Sequence, residues 1–278
     1  MGDQSAVPAD GLPPKSPVLG IPISLTSYDE VLALLDHERR RAAEQATTLA
    51  FCNVHSVMSA RRDPELARVL ARMDVACSDG MPLVWMLRRL VRPDQGRVYG
   101  PDLMEAALAH GVTRGWKHYF YGSTPETLDR LADKAQRLAP GVQIVGMHAP
   151  PFRALSAAEE DAVIADIADS GADCVWVGLG MPKQELWVDR VRDRLPGVAL
   201  LAVGAAFDLV SGTVRQAPDW MQDRGLEWAY RLAMEPRRLW RRYLYYNPGF
   251  AVLAMRQLMR HRRLLPNQRE GVVPGRAQ

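Results

Sequence analysis

The chain has 278 residues, of which 47% are hydrophobic and 24% charged, and its formal net charge is +3. These values are typical of a globular chain with a substantial core, and they exclude a low-complexity or largely disordered protein. The longest apolar run, VALLAVGAAFDLV, is too short to span a bilayer. The cysteines, Cys52, Cys77 and Cys174, lie in apolar segments without zinc-site spacing, so we expect buried thiols in a reducing compartment.

The N-terminal segment, MGDQSAVPADGLPPKSP, is polar and rich in proline. It lacks the basic and apolar regions of a signal peptide, so we expect residues 1–17 to form a disordered tail. The polar composition of residues 264–278 predicts a second tail. Between the tails the pattern predicts a main α/β domain at residues 18–212 and a helical appendage at residues 213–263.

Short apolar segments alternate with helical patterns along most of the chain. This alternation predicts an α/β fold, a Rossmann-like parallel sheet with helices on both faces. In chain order, the predicted strands are TTLAFCNV, DVACS, KHYFYG, GVQIVGM, ADCVWVGLG and GVALLAVG. The predicted helices between them are DPELARVLARM, MPLVWMLRRL, TPETLDRLADKAQRL, SAAEEDAVIADIADS and KQELWVDRVRDRL.

The pattern changes after Ser211, where two helical segments follow, APDWMQDRGLEWAYRLAMEP and RRLWRRYLYYNPGFAVLAMRQLMRHRR. Proline and glycine predict breaks at Pro236 and at residues 247–249. From Arg231 to Arg263 the chain carries nine arginines and one acid, interleaved with tryptophan and tyrosine. Such a segment favours an anionic partner: a membrane surface, a phosphate-bearing ligand or nucleic acid. No nucleic-acid-binding motif accompanies the charge, so we do not expect nucleic acid.

Small or polar residues follow the predicted strands, at the edge where open parallel sheets bind their ligands. The two histidines near strand ends, His55 and His148, would line the same cleft, although a lone histidine is more often structural. The other candidate cleft residues at strand ends are Asn53, Asp79, Gly122, Ser123, Gly178, Gly180, Pro182, Gln184, Glu185 and Asp208.

Several of these residues have a simpler explanation as helix caps. Asp79 would cap the helix that begins near Met81, and Asn53 would cap the helix of VHSVMSARR. The segment GSTPETL is a good helix start without any ligand, although a glycine turn before a helix is also a phosphate site. Neither a GxGxxG nor a Walker A sequence is present, which argues against hydride transfer and NTP hydrolysis.

The segment VGLGMPKQELWV is harder to explain by structure alone. Its two glycines permit close approach of the backbone to a ligand, and Pro182 opens a helix. Gln184 and Glu185 then lie in the first turn of that helix, facing the crevice at the strand ends. We therefore favour a ligand role. Metal-binding patterns such as DxD, HxH and HExxH are absent from the sequence, so no metal is predicted.

Four segments, SDGMPLVW, VGLGMPKQE, VGAAFDLVSGTVRQAPDWM and GLEWAYRLAMEPRRLWRRYL, resemble in order and spacing the WecG/TagA/CpsF family, glycosyltransferase family twenty-six. The resemblance runs from about Leu19 to Leu244. It implies a Rossmann-like catalytic domain and an appendage that docks on the cytoplasmic face of the bacterial membrane. It also implies inverting, metal-independent transfer of a sugar from a UDP-sugar to a polyprenyl-diphosphate-linked glycan, without a cofactor, in teichoic acid or cell-surface polysaccharide synthesis.

The same resemblance assigns roles to particular residues. It places the general base at Asp79 and a cleft amide at Asn53, with Gln184 and Asp208 completing the motifs. Arginines that reach the diphosphate are expected at Arg231, Arg238 and Arg241. Their spacings of 7 and 3 place these three within about 100° on a continuous helix, although Pro236 would interrupt it.

Other functions remain open at this point. A nucleotide-sugar epimerase would use free UDP-GlcNAc, and the basic appendage would then be surplus. A nucleotide-sugar sensor, or a scaffold of a polysaccharide assembly complex, would bind without turnover. Among relatives the transferred sugar is N-acetylmannosamine, its uronic acid or glucose, and the sequence does not choose among them. Self-association into a homo-oligomer is equally open.

Overall fold

The computed structural model describes residues 11–40 and 44–264. Its strands form a two-stranded antiparallel hairpin and a six-stranded parallel sheet. The strands are β1 (Lys15–Val18), β2 (Ile21–Ser24), β3 (Thr47–Cys52), β4 (Val75–Ser78), β5 (Lys117–Gly122), β6 (Gln143–His148), β7 (Cys174–Gly178) and β8 (Ala199–Ala202). The helices are α1 (Tyr28–Arg40), α2 (Val54–Ala60), α3 (Pro64–Arg72), α4 (Met81–Leu90), α5 (Gly100–Val112), α6 (Pro125–Leu138), α7 (Ala157–Ser170), α8 (Lys183–Val191), α9 (Ala206–Val210), α10 (Asp219–Asp223), α11 (Glu227–Met234) and α12 (Pro236–Leu264).

The large sheet has the strand order β4-β3-β8-β7-β5-β6, and each strand is parallel to its neighbours. Every residue of β3, β4 and β8 is buried, because helices cover both faces of the sheet. The predicted Rossmann-like α/β fold is confirmed, and each predicted strand forms within two residues of its expected bounds. The carboxyl ends of these strands therefore open along one edge.

Two hydrophobic layers hold the sheet, one on each face. Alternate residues of β7 show the division, since Val175 and Val177 pack into one layer and Trp176 into the other. All three side chains are fully buried, and Phe120 of β5 joins Trp176 in its layer. This packing fixes the strand ends from both sides, so loops that follow the strands start from rigid positions.

The structure corrects the predicted disordered tail at residues 1–17, because β1 begins at Lys15. Val18 of this strand is fully buried, and a two-residue turn at Leu19 and Gly20 leads directly into β2. Both turn residues have positive φ, as a tight hairpin of this kind requires. The proline-rich composition suggested disorder, but the buried face of the hairpin outweighs it.

The other predicted boundaries concern the two chain ends and the division between the domain and the appendage. Residues 1–10 and 265–278, where tails are predicted, lie outside the described residues. Residue 264, predicted to begin the C-terminal tail, is the last residue of α12. The division into a domain at residues 18–212 and an appendage at residues 213–263 stays a prediction.

The first predicted helix of the appendage is broken into α10 and α11 near Gly225. This glycine has a φ of +67°, and a Cβ atom there would lie 2.8 Å from the ring of Trp85 on α4. Close approach to α4 therefore requires the chain to turn at a glycine. The predicted break at Pro236 is confirmed, since α11 ends at Met234 and α12 begins at Pro236.

The predicted break at residues 247–249 is wrong, because α12 continues through Pro248. A proline inside a helix costs about 3 kcal/mol or more, since it removes one hydrogen bond and crowds the preceding turn. Packing of α12 against α2 and α4 offsets this cost, and Leu239, Phe250 and Ala254 are buried along the helix. The appendage thereby covers the strand ends with one long, uninterrupted helix.

Candidate active site

A cavity of about 660 Å³ lies between the carboxyl ends of β3 and β4 and the C-terminal helices. Its volume is in the range of small-molecule sites. Asn53, which follows β3, and Asp79, which follows β4, line one side together with residues of α4. Residues of α11 and α12 line the opposite side. The cavity therefore exists only because the appendage packs over the strand ends.

Each polar atom of Asp79 has a partner. Its carboxylate accepts hydrogen bonds from the backbone N–H of Gly100, at 3.1 Å, and from the Nδ2 of Asn53, at 3.5 Å. Its backbone N–H donates to the carbonyl of Cys52, at 2.9 Å. The cap residue of α4 is Gly80, and no side chain caps this helix. The alternative that Asp79 serves as the cap of α4 is therefore wrong.

Asn53 has two functions in the structure. Its Oδ1 accepts the backbone N–H groups of His55 and Ser56 at the start of α2, as predicted for a helix cap. Because the oxygen faces the helix, the Nδ2 group must face the other way, toward Asp79. Capping therefore fixes the orientation of the amide in the cleft, and the two explanations proposed for Asn53 are compatible.

The environment of Asp79 raises the pKa of its carboxyl group. Burial is the main cause, and the negative charge of Glu227 adds to it. The positive charge of Arg97 and the hydrogen bonds from Gly100 and Asn53 act in the opposite direction. A carboxylate with a raised pKa is a stronger base than an exposed one, which suits removal of a proton from a hydroxyl group.

Arg97 is a site residue that the sequence did not indicate. It lies between α4 and α5, and its Nε donates to the backbone carbonyl of Asp79 at 2.5 Å. Its guanidinium group pairs with Glu227 of α11 and stacks over the ring of Tyr99 at 3.7 Å. Tyr99 in turn donates its hydroxyl hydrogen to Glu227, at 3.0 Å. The network joins the α/β domain to the appendage directly beside Asp79.

The loops after β5 and β7 lie against each other. Gly122 has a φ of +131°, and a Cβ atom there would lie 2.5 Å from the carbonyl carbon and oxygen of Gly178. The backbone N–H of Ser123 donates to that same carbonyl at 3.2 Å. Contact between the loops thus accounts for Gly122, whereas Gly180 has open space on its Cβ side. Pro182 follows a cis peptide bond and occupies the position directly before α8, without a side-chain capping hydrogen bond.

Gln184 and Glu185 lie in the first turn of α8, as predicted, but both are buried, at 4% and 3% exposure. Gln184 accepts the backbone N–H of Gly180 and donates to Glu185 and to the carbonyl of Ala202. The two side chains support the loop from beneath and do not line the cavity described above. Burial raises the pKa of Glu185 to about 7.

Asp208 of α9 connects the strand-end loops with the appendage. Ser123 forms a hydrogen bond with its carboxyl group, and the charges of Arg231 and Arg238 act on it. Burial is the main cause of its raised pKa, and Glu235 adds to the shift. Three predicted site residues from distant parts of the sequence, Ser123, Asp208 and Arg231, therefore meet in one region.

The predicted set of appendage arginines needs correction. Arg231 of α11 lines the cavity, whereas Arg238 is exposed and pairs with Glu235, and Arg241 is exposed beside Trp240. Because Pro236 begins a new helix, the three do not share one helical face. The geometric argument for the triplet is therefore wrong, although a role for each arginine stays a prediction.

Arg242, which the sequence analysis did not select, lines the cavity instead. Its Nε atom is buried and has no hydrogen-bond partner among the described residues, and the same holds for the Nε of Arg231. Burial, followed by the nearby charges of Arg231 and Arg238, lowers the pKa of Arg242. Two cationic side chains thus line the cavity, and their buried Nε donors have no partner among the described residues. An anion is the ligand that satisfies such donors best.

Of the two histidines predicted to line the cleft, only His55 does so. Its ring packs edge-on against Tyr246 at 5.1 Å between centroids. Burial and the charge of Arg242 lower its pKa to about 3. His148 ends β6 and packs near Tyr121 at the far side of the sheet. His55 is therefore neutral at physiological pH and supports the cavity wall.

Residues 11–40 and 44–264 contain no group of three or more His, Cys, Asp or Glu side chains that could hold a metal ion. Metal independence stays a prediction. Within the same ranges, none of the helices combines the length and the apolar character needed to cross a membrane.

A doubly covered parallel sheet, whose strand ends open into a cavity lined by Asp79, Glu227 and appendage arginines, defines an α/β protein with an enzyme-like cleft. Comparison with known families makes the class more specific. The model of the family described as "Glycosyl transferase WecG/TagA/CpsF family" matches residues 16–264. The chain belongs to this family of glycosyltransferases, which confirms the resemblance seen in the sequence. Membership implies a sugar donor and a glycan acceptor, and the match includes the whole of α12.

Proposed function

We propose that the protein is an inverting, metal-independent glycosyltransferase of cell-surface polysaccharide or teichoic acid synthesis. It moves N-acetylmannosamine, its uronic acid or glucose from a UDP-sugar to a polyprenyl-diphosphate-linked glycan, at the inner face of the bacterial plasma membrane. The observation that carries the proposal is the cavity that holds Asp79 on one side and Arg231 and Arg242 on the other. Family membership supplies the reaction class.

In this mechanism Asp79 is the general base. The acceptor hydroxyl attacks the anomeric carbon of the donor, its proton passes to the Asp79 carboxylate, and the bond to the UDP oxygen breaks. Inversion requires no covalent glycosyl-enzyme, so one carboxylate is sufficient. The raised pKa of Asp79 and its position on the cavity surface support the assignment. Asn53 and the Gly100 N–H hold the carboxylate in place.

The leaving diphosphate gains negative charge as the glycosidic bond breaks, and cationic donors lower the energy of that state. Arg231 and Arg242 line the cavity and have unpaired Nε donors, and the charge of Arg238 acts on Asp208. A guanidinium group suits a diphosphate because its planar fork donates two parallel hydrogen bonds. We assign the phosphate groups of donor or acceptor to these arginines.

The rest of the cavity supports a lipid-linked acceptor. Between α4 and α12 its lining becomes apolar and rich in methionine, a residue that adapts to irregular apolar ligands. Arg89 and Arg262 are the basic residues at this end. The apolar lining residues that support the assignment are Met81, Met86, Phe250, Met255, Leu258 and Met259.

The outer surface of α12 supports peripheral membrane binding. Trp240, Leu244 and Tyr245 are exposed large apolar residues beside the exposed Arg241. Each arginine near an anionic leaflet contributes about 1 kcal/mol of attraction, and aromatic rings favour the interface. Such binding keeps the open end of the cavity close to a lipid substrate.

A UDP-release assay tests the proposal. Purified protein is incubated with a short-chain polyprenyl-diphosphate-GlcNAc analogue and a panel of UDP-sugars, with EDTA present. We expect UDP to appear with one donor and only when the acceptor is included. UDP binding without release from any donor would favour the alternative of a nucleotide-sugar sensor or assembly scaffold. Failure to bind UDP would contradict the proposed function.

A further inference from the structure

An ion pair connects the α/β domain with the appendage. Glu227 lies in the first turn of α11, and its carboxylate pairs with the guanidinium group of Arg97. The two side chains are only 16% and 14% exposed, so water screens the pair weakly. Tyr99 donates to the second oxygen of Glu227, at 3.0 Å, and Gln222 accepts from Arg97, at 3.3 Å.

This ion pair determines which group of Asp79 is contacted by Arg97. The Nε of Arg97 donates to the main-chain carbonyl of Asp79, while its terminal nitrogens donate to Glu227 and Gln222. The Asp79 carboxylate itself receives neutral donors, from Gly100 and Asn53. A guanidinium group without Glu227 would still have nearby carboxylates to bind, those of Asp79 and Asp102, and Asp79 is the one whose main chain it already contacts.

We propose that Glu227 is a positioning residue that directs Arg97 away from the Asp79 carboxylate and leaves this carboxylate available to the acceptor hydroxyl. The inference rests on the proposed function, in which Asp79 is the base. Because Glu227 belongs to α11 and Asp79 follows β4, the arrangement forms only when the appendage is in place. Closure of the appendage therefore prepares the base as well as covering the cleft.

The charges around Asp79 give this proposal a measurable consequence. Arg97 and Tyr99 face Asp79 from the segment before α5, Glu227 faces it from α11, and Cys52 and Cys77 face it from the sheet. Burial keeps the two thiols and the tyrosine neutral, since it raises the pKa of each. Glu227 raises the pKa of Asp79 and Arg97 lowers it. Removal of the Glu227 charge leaves Arg97 unopposed.

The test compares the pH profiles of UDP release for Glu227→Gln and Glu227→Asp. The glutamine keeps the shape and the contact with Tyr99 but removes the charge. We expect the acid limb of kcat to move to lower pH by about one unit, with a several-fold fall on the plateau because the base is weaker. Glu227→Asp, which keeps the charge, should restore the wild-type limb. An unchanged limb in Glu227→Gln overturns the proposal.

Two matched variants separate charge from packing. Tyr99→Phe removes one hydrogen bond to Glu227 but keeps the ion pair, so its acid limb should stay in place. Glu30→Gln removes a carboxylate that pairs with Arg92 at 3.4 Å, away from the cavity, and should also leave the limb unchanged. A shift of equal size in either control would show that general destabilisation moves the profile, and would overturn the proposal.

A direct titration keeps the outcome independent of turnover. The chain is labelled with ¹³C in its aspartate carboxyl groups, and the Asp79 signal is identified by its loss in Asp79→Asn. The Asp79 pKa should be lower in Glu227→Gln than in the wild type, and an equal pKa rejects the role of Glu227. Absence of UDP release from every donor would instead contradict the proposed function, while the titration would still decide the effect of Glu227 on Asp79.

Discussion

The two sides of the cavity differ in how their polar groups are satisfied. On the domain side, Asp79 receives hydrogen bonds from Asn53, Gly100 and Arg97. On the appendage side, the Nε atoms of Arg231 and Arg242 are buried without a partner among the described residues. A buried donor without a partner costs about 1–3 kcal/mol. The polar groups around Asp79 are thus satisfied by the protein itself, whereas the appendage side keeps donors that the described residues leave unpaired.

This difference separates two kinds of contribution. Groups that the fold has already paired set the position and basicity of Asp79 before substrate arrives. In the proposed function, the arginines on the appendage side bind the diphosphate and gain hydrogen bonds that the fold left unmade. Substitutions on the domain side should therefore change the chemical step, and substitutions on the appendage side should change binding of the diphosphate as well.

The largest effect is expected for Asp79→Asn, which removes the proton-accepting carboxylate from the domain side of the cavity. Asparagine keeps the acceptor for Gly100 but cannot take a proton, so UDP release should fall by roughly 10²–10⁴-fold. UDP binding, measured by calorimetry, should stay within about threefold of the wild type, because the arginines are untouched. Asp129→Asn on the exposed surface of α6 is the control. Full activity in Asp79→Asn would exclude this residue as the base.

The next largest effect is expected on the appendage side, for Arg242→Ala. Loss of a charge-assisted contact of about 1.5–3 kcal/mol should lower kcat/KM by roughly ten- to a hundredfold. Arg241→Ala is the matched control, since it removes the neighbouring but exposed arginine. We expect it to weaken binding to anionic vesicles by about 1 kcal/mol and to preserve kcat/KM in detergent. Equal losses of kcat/KM in Arg242→Ala and Arg241→Ala would contradict a role that depends on the position of Arg242 in the cavity.

A third prediction extends the comparison to Glu185, which lies beneath the domain side. Its pKa is raised from 4.5 to about 7 in the folded chain. A raised pKa means that its contribution to stability is fully present below pH 4.5 and is lost as pH rises through 7. At about 1.4 kcal/mol per unit, the loss amounts to a few kcal/mol. Glu185→Gln should therefore be more stable than the wild type at pH 8 in urea unfolding.

The gain of Glu185→Gln should disappear at pH 4, where the wild-type carboxyl is protonated. The difference in free energy of unfolding between Glu185→Gln and the wild type could also be the same at pH 4 and pH 8. That result would show that Glu185 is not neutralised by burial. Glu65→Gln is the control, because it removes a carboxylate at an exposed position in the first turn of α3.

The smallest effect is expected for Asn53, where capping and cleft functions are combined. Asn53→Ala should lower the free energy of unfolding by about 1 kcal/mol, because α2 loses its cap. Asn53→Ser should recover most of this stability, since serine is also a good cap, but its side chain is too short to reach Asp79. We expect kcat of Asn53→Ser to fall a few-fold while its melting temperature stays close to the wild type. Full activity in Asn53→Ser would assign Asn53 to capping alone.

Much of the fold could be predicted because local residue patterns mark most of its strands and helices. The six strands of the sheet are apolar segments bounded by polar or glycine residues. The helices between them show the helical repeat of apolar residues instead. The hairpin of β1 and β2 was missed because its prolines resemble a tail. α5 was missed because Gly100 and Pro101 resemble a loop, although they begin the helix and Gly100 supplies the N–H that binds Asp79.

The candidate site was less predictable, because part of it depends on contacts between distant segments. Arg97 and Glu227 are 130 positions apart and carry no motif that marks them as partners. Arg242 did leave a signal: in a helix that begins at Pro236, it falls on the same face as the buried Leu239 and Phe250. The expectation for Arg241 came from the family resemblance, and this expectation did not use the helical face on which Arg242 lies.

The uninterrupted course of α12 has a mechanical consequence. Its 29 residues span about 43 Å, at 1.5 Å per residue. Arg242 lies near one end, and Arg262 and the exposed Met255 and Met259 lie toward the other. A single helix thus connects Arg242 with the methionines at the opposite end of the cavity. If the helix were broken at Pro248, these two parts of the cavity lining would belong to separate helices.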